Sequence, residues 1–178
     1  MATATEQLQG TYVLDPVHSS ASFAVKHMVV STFRGRFEKF DATLTDGKLV
    51  GTVDVGSIVV KDENLAAHLQ SPEFFDAERH PELRFESSEI RPTGEGDEIV
   101  VDVELTIKGI TKPVEARGTL EGPAVTFGDV NKVGLTLEAI IDRTEFGLNW
   151  NAPLPKGGFA LANEVKLLVN LELAPAAE

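Results

Sequence analysis

Four histidines, His18, His27, His68 and His80, are the side chains of this sequence most able to bind a metal or to move protons near neutral pH. A zinc centre needs three or four converging nitrogen, sulfur or carboxylate donors. No His-Glu-x-x-His or comparable paired spacing is present, and the chain has no cysteine. No metal is therefore expected. His27 shares the parity of Phe23 and Val25 along one strand-like run, so it either points into a cavity with them or caps a rim. Asp76 and His80 have the i,i+4 spacing of a helix face, but no nucleophile accompanies them and no Gly-x-Ser-x-Gly elbow occurs. Dinucleotide and phosphate-loop fingerprints are also missing. No catalytic residue is assigned and no cofactor is required. Acid–base catalysis would need two convergent titratable groups, for example His27 with a carboxylate.

The ten phenylalanines carry more information. Phe33, Phe37 and Phe40 surround Arg34-Gly35-Arg36, and Phe74 and Phe75 stand side by side between strand-like runs. Phe85, Phe127, Phe146 and Phe159 lie near strands or their ends. Each could fill a core. Alternatively, several could line a cavity, because an eight-stranded barrel is just wide enough to be filled by side chains or to hold one small ligand.

The elements that would position these residues are strands. Ile99, Val101, Val103, Leu105 and Ile107 alternate with polar neighbours, and Val133 to Ile141 and Val165 to Leu173 repeat the period of two. Thr11 to Leu14, Ser20 to Met28, Arg36 to Thr45, Lys48 to Val60 and a run from Leu83 complete the set. Asp46-Gly47 is a hairpin signal, and Gly122-Pro123 reads as a turn. Short turns between consecutive strands favour an up-and-down antiparallel barrel, with a two-sheet sandwich as the alternative. The exception is Asp62 to Pro81. Asp62 is an N-cap candidate, and Ser71-Pro72-Glu73 suggests a second helical start, so two short helical pieces are expected there.

Composition narrows the partners. The net charge is −12, from 16 basic and 28 acidic residues, which disfavours nucleic acid. No apolar run is long enough to span a membrane as a helix. The start, Met-Ala-Thr-Ala-Thr, has no basic, apolar, small-residue leader pattern, so a cytoplasmic protein is expected. Residues 1–9 and 174–178 are small and polar enough to be expected as flexible ends around a single domain of residues 10–173.

Several motifs, in order, resemble the YceI-like family of polyisoprenoid-binding proteins. They are Asp15-Pro16-Val17-His18-Ser19, Gly35-Arg36-Phe37, His68-Leu69-Gln70-Ser71-Pro72-Glu73-Phe74-Phe75-Asp76, Leu105 to Val114, Arg143-Thr144-Glu145-Phe146-Gly147 and Glu164 to Leu167. The resemblance implies an extended eight-stranded antiparallel lipocalin-like barrel with a short helical insertion and a long apolar tunnel. It implies a polyisoprenoid, isoprenoid quinone or fatty-acid-like ligand with its polar head near the mouth, and a homodimer. The residues expected to bind it are Phe23, His27, Phe33, Phe37 and Phe85, with Phe74 and Phe75 from the insertion. Arg143 and Phe146 complete the set. Lipid carriage or sequestration is the expected role, and an isomerase or hydrolase of an apolar substrate is the rival.

Overall fold

The computed structural model describes residues 8–176. Its strands are β1 (Thr11–Leu14), β2 (Ser20–His27), β3 (Ser31–Phe37), β4 (Phe40–Thr45), β5 (Lys48–Asp54), β6 (Ile58–Val59), β7 (Glu82–Pro92), β8 (Glu98–Ile107), β9 (Ile110–Val125), β10 (Asn131–Asp142) and β11 (Leu161–Pro175). They form one antiparallel sheet that closes on itself, because β11 pairs with β10 on one edge and with β1 and β2 on the other. β1 with β2, β3 with β4 and β5 with β6 each act as one long strand with a break. Counted so, eight strands run up and down in sequence order around a closed barrel. Closure leaves no long unpaired edge to template aggregation.

The expected run from Arg36 to Thr45 is split at Glu38–Lys39, and the run from Lys48 to Val60 is split at Val55–Ser57. Two of the three breaks in the barrel use the same chemistry. The Asp15 carboxylate accepts the Val17 N–H at 3.0 Å, and the Asp54 carboxylate accepts the Gly56 N–H at 2.9 Å. Asp142 repeats the device where β10 ends, accepting the Thr144 N–H at 2.9 Å. An Asp that bonds the backbone two residues ahead competes with the ladder and turns the chain. Gly122-Pro123 does not close its strand as expected. The pair lies inside β9, opposite the bulge between Lys132 and Gly134, and the turn comes later at Phe127–Asp129.

The insertion holds one helix, α1 (Glu63–Gln70), capped by the Asp62 side chain on the N–H groups of Asn64 and Leu65. The second helical piece expected at Ser71 does not form. Ser71 instead ends α1, with its N–H and hydroxyl both donating to the His68 carbonyl at 3.1 and 2.6 Å. Phe74 and Phe75 follow in hydrogen-bonded turns. Leu8 is fully buried in the core, and Ala174 and Pro175 of β11 pair with Val13 and Tyr12. Met1 to Gln7, Ala177 and Glu178 lie outside the described residues.

The inward side chains form two clusters, one at each end. The end carrying the chain termini and the β4–β5 turn is packed with aliphatic groups such as Leu44, Leu49, Leu120, Leu135, Leu171 and Leu173. The end carrying α1 gathers Phe23, Phe37, Phe74 and Phe146 with branched aliphatic residues. Glycines make room for rings crossing the interior. Phe23 faces Gly35 and Phe85 faces Gly51 across the sheet, and a Cβ on either glycine would stand 2.5 or 2.0 Å from the ring.

Candidate ligand-binding cavity

At the α1 end the barrel is hollow. A cavity of about 310 Å³ opens between β2, β3 and β11 on one side, β8 and β10 on another, and α1 with the following turns as cover. That volume lies at the lower bound of ligand pockets, roughly 300–1,000 Å³. A separate, smaller space of about 90 Å³ borders it, with Leu105 and Leu167 on the wall of both. The sequence left open whether the barrel is filled or hollow, and the structure shows a packed end and a hollow one.

Parity places Phe23, Val25 and His27 of β2 on the cavity wall, with His27 at the end of the strand beside the mouth. Phe33 and Phe37 of β3 join them. Phe23 touches Phe33, Phe37 and Phe75 with ring centroids 6.0, 5.9 and 6.4 Å apart, tilted or edge-on as aromatic quadrupoles favour. Phe74 and Phe75 both line the space but belong to different ring groups. Phe75 stacks edge-on to Phe37, whereas Phe74 packs against His68 and Trp150 at 4.9–5.5 Å in a second trio. Phe85 lies at the smaller space, away from the main cavity. Phe146 is not on either wall. It is fully buried in the short helical turn after β10, where it supports the cavity from behind.

Arg143 is the unusual member of the wall. It is 4% exposed, and burial pushes its guanidinium pKa below the ordinary arginine value. Nε donates to Ala162 O at 2.8 Å, and Nη1 donates to Leu148 O and Trp150 O at 2.5 and 2.9 Å. These bonds hold the chain after β10 against β11 and fix Trp150 over the cavity. Nη2 is buried and, among the described residues, has no hydrogen-bond partner. A buried charged donor without a partner is costly, so this nitrogen weakens the packing around Arg143.

Trp150, Leu148, His68, Leu65 and Met28 also line the wall, with aliphatic residues of β8, β10 and β11, and were not among the binding residues expected from sequence. The chain's single tryptophan, set between strands, was the available signal for the first of them. His68 also accepts or donates one 2.6 Å hydrogen bond with Glu73. Among the described residues, the polar side chains on the wall are His27, His68, Arg143 and the Trp150 indole, so the surface of the cavity is mostly carbon.

Sequence spacing missed one further constellation, on the outer face of the barrel. Asp15, His18 and Glu172 bring ligand-type atoms within 4.8 Å of one another. Asp15 lies 2.9 Å from His18, and Lys132 lies 3.1 Å from Glu172 and 3.8 Å from Asp15, so an ammonium already serves these carboxylates. The hydrogen bond from His18 holds Asp15 down at about 2, and Asp15 in turn raises His18 above its ordinary value. With Ser19, whose hydroxyl accepts the Glu172 N–H and donates to Asp15 O, this group fastens the break between β1 and β2 onto β11.

Comparison with known proteins gives the same architecture. The model of the YceI-like domain family matches residues 12–173. A UPF0312 protein of Staphylococcus aureus strain N315 is 31% identical over 175 residues, spanning 92% of this chain and 96% of its own. One from Staphylococcus epidermidis strain ATCC 35984 is 32% identical over 171 residues, at 90% and 95% coverage. The crystal structure of Burkholderia cenocepacia BcnA superposes with a TM-score of 0.77 at 26% identity, covering 89% of this chain and 98% of that one. A polyisoprenoid binding domain from Saccharophagus degradans, implicated in plant cell wall breakdown, shares the fold with a TM-score of 0.66 at 12% identity, over 93% and 98%.

Proposed function

Since the chain belongs to the YceI-like family, we propose that it binds a long apolar lipid in the cavity at the α1 end, as a carrier or sequestering protein. The observation that carries this reading is a hollow of about 310 Å³ walled by carbon, with one unpartnered buried guanidinium nitrogen among its lining residues. Burying each CH₂ of a guest gains about 0.8 kcal/mol, enough to favour long chains. Arg143 also lines the hollow, and a guanidinium in the wall favours a guest with an oxygen at its polar end, as in a quinone carbonyl, a polyisoprenoid phosphate or a fatty carboxylate. The likeness in fold to the polyisoprenoid binding domain from Saccharophagus degradans supports the isoprenoid members of that set.

The rival is an enzyme acting in the same cavity. His68 gives it an imidazole with a carboxylate behind it, whereas no carboxylate shares the wall with His27. Native mass spectrometry of the protein purified from its host, followed by organic extraction, tests the proposal. A stoichiometric apolar compound recovered unchanged is the expected result. An apo mass alone argues against lipid carriage, and conversion of the extracted compound on re-incubation favours the enzyme.

No helix of the described residues is long and apolar enough to cross a membrane.

A further inference from the structure

Charge is unevenly distributed around the cavity mouth. Although the chain carries 28 acidic residues, no Asp or Glu lies between Pro16 and Phe37 or between Phe146 and Asn163. The fold sets the middles of these two segments side by side. Met28 N–H donates to Ala160 O at 2.8 Å, His27 pairs with Leu161, and a Cβ on Gly158 would stand 3.8 Å from Val29. Asn151 clamps the second segment at its base, its amide donating to Leu161 O and its oxygen accepting from the N–H groups of Ala152 and Leu161. The joint tip is apolar. Val30 is 85% exposed, Val29 64% and Phe159 59%, while Met28 reaches both solvent and the cavity. Lys26, Arg34 and Lys156 are exposed on the same two segments.

Turn chemistry alone would not choose these residues. Met28 and Val29 hold φ at +51° and +68°, a region where glycine and asparagine are favoured and a branched side chain is an outlier. Apolar side chains are therefore presented at the mouth against the local backbone preference. We infer that this rim docks on an anionic lipid bilayer. The β2–β3 turn and Phe159 enter the headgroup region, and Lys26, Arg34 and Lys156 face the lipid phosphates. The remainder of a chain of net charge −12 is repelled by the same surface, which turns this side toward it. Glu63, Glu73 and Glu78 lie in the covering insertion, so contact is confined to the β2–β3 side of the mouth. Docking would let an apolar guest pass between bilayer and cavity through Met28 without crossing water; this last step rests on the lipid-binding reading, whereas the docking itself does not.

The full chain is tested by co-sedimentation with vesicles of phosphatidylcholine, with and without phosphatidylglycerol. The unsubstituted protein should bind the anionic vesicles and release with added salt. Lys156→Glu should weaken binding at least about fivefold, since each basic side chain near an anionic surface contributes roughly that factor. Val30→Asp should weaken it about tenfold or more, by putting a charge where an apolar side chain enters the interface. Because both residues are exposed, the melting temperature should not move, which separates docking from folding. Equal binding to both vesicle types, or undiminished binding by both variants, overturns the inference. If Val30→Asp instead splits a dimer in sedimentation velocity and leaves vesicle binding unchanged, the rim is a contact between two copies and the inference is wrong. A fluorescent long-chain fatty acid reports the cavity independently. Uptake of the probe without vesicle binding defeats docking alone, and vesicle binding without uptake defeats the lipid-binding reading alone.

Discussion

The two ends of the barrel are built from the same alternating strands yet do opposite things. At the closed end the inward positions are Leu, Ile, Val and Ala with Tyr12, and they meet across the axis with Leu44, Leu49, Leu120, Leu135, Leu171 and Leu173 almost wholly buried. At the α1 end Phe23 of β2 and Phe33 and Phe37 of β3 turn rings inward. Rings held 6 Å apart around the wall leave a hollow between them. Period-two patterning is thus silent about whether a barrel is filled. The choice is made by side-chain shape: flexible aliphatic groups interdigitate to native density, whereas rigid rings braced on Gly35 and on one another stand as panels. The proposed binding site sits where packing is incomplete.

Truncations should separate the two ends. Leu135→Ala or Leu171→Ala removes a side chain from the filled end and should cost about 3–5 kcal/mol of stability, with ligand affinity unchanged in the surviving fold. Denaturant unfolding and a binding titration on each variant check this. A comparable loss of affinity would mean that the two ends are not independent.

Arg143 should give the next largest effect, and on both axes. Arg143→Met removes three hydrogen bonds to backbone carbonyls and should destabilise the protein by about 2–4 kcal/mol. It should also abolish any preference for a guest with an oxygen at its end over a plain hydrocarbon of equal length. Arg143→Lys, which keeps a charge without the fork geometry, should recover part of that preference. Competition binding with an alkane-like and a carboxylate probe distinguishes a head-group role from a purely structural one.

Phe75→Ala should cost less stability, about 1–3 kcal/mol, because the ring is half exposed and already borders empty space. Its effect should fall on release. Stopped-flow displacement is expected to show guest dissociating about tenfold faster, the equivalent of roughly 1.4 kcal/mol of lost contact. An unchanged rate would make the turn after α1 a plug that does not touch the guest.

Much of this was legible in the sequence, and the residues say why. The parity of Phe23, Val25 and His27, the alternation of β8, β10 and β11 and the Asp62 cap each rest on local rules, and the structure follows them. The strand breaks were not legible, because an Asp bonding two residues ahead looks like any acidic residue on a polar face. Ser71 was misjudged because a serine before a proline satisfies an N-cap rule, while its actual partner, the His68 carbonyl, lies behind it. Trp150 and Leu148 sit in an irregular segment with no period to read, and Arg143 holds them there through backbone oxygens that no pattern of side chains reveals. The group of Asp15, His18 and Glu172 depends on the first and last strands meeting, a consequence of closure.

The seam between β1, β2 and β11 gives the smallest predicted effect. His18 has a raised pKa when folded, so its contribution is complete below 6.5 and fades as pH rises through the raised value. Asp15 is lowered, so its contribution is complete above 3.8 and fades as pH falls through about 2. Both are present together between pH 3.8 and 6.5. Melting temperature followed against pH should show a shallow decline above that window, and His18→Asn should flatten it. High salt should do the same, since the groups are solvent-exposed. A decline that survives the substitution would place the titration elsewhere.

The central claim, a hollow of fixed size at one end of a filled barrel, is tested most directly by affinity against chain length. A competition series of straight-chain and isoprenoid alcohols should tighten by about fourfold per added CH₂, the equivalent of roughly 0.8 kcal/mol. The series should then level off once the cavity of about 310 Å³ is occupied. Equal affinity for short and long chains would show that no guest enters the barrel and would contradict the account.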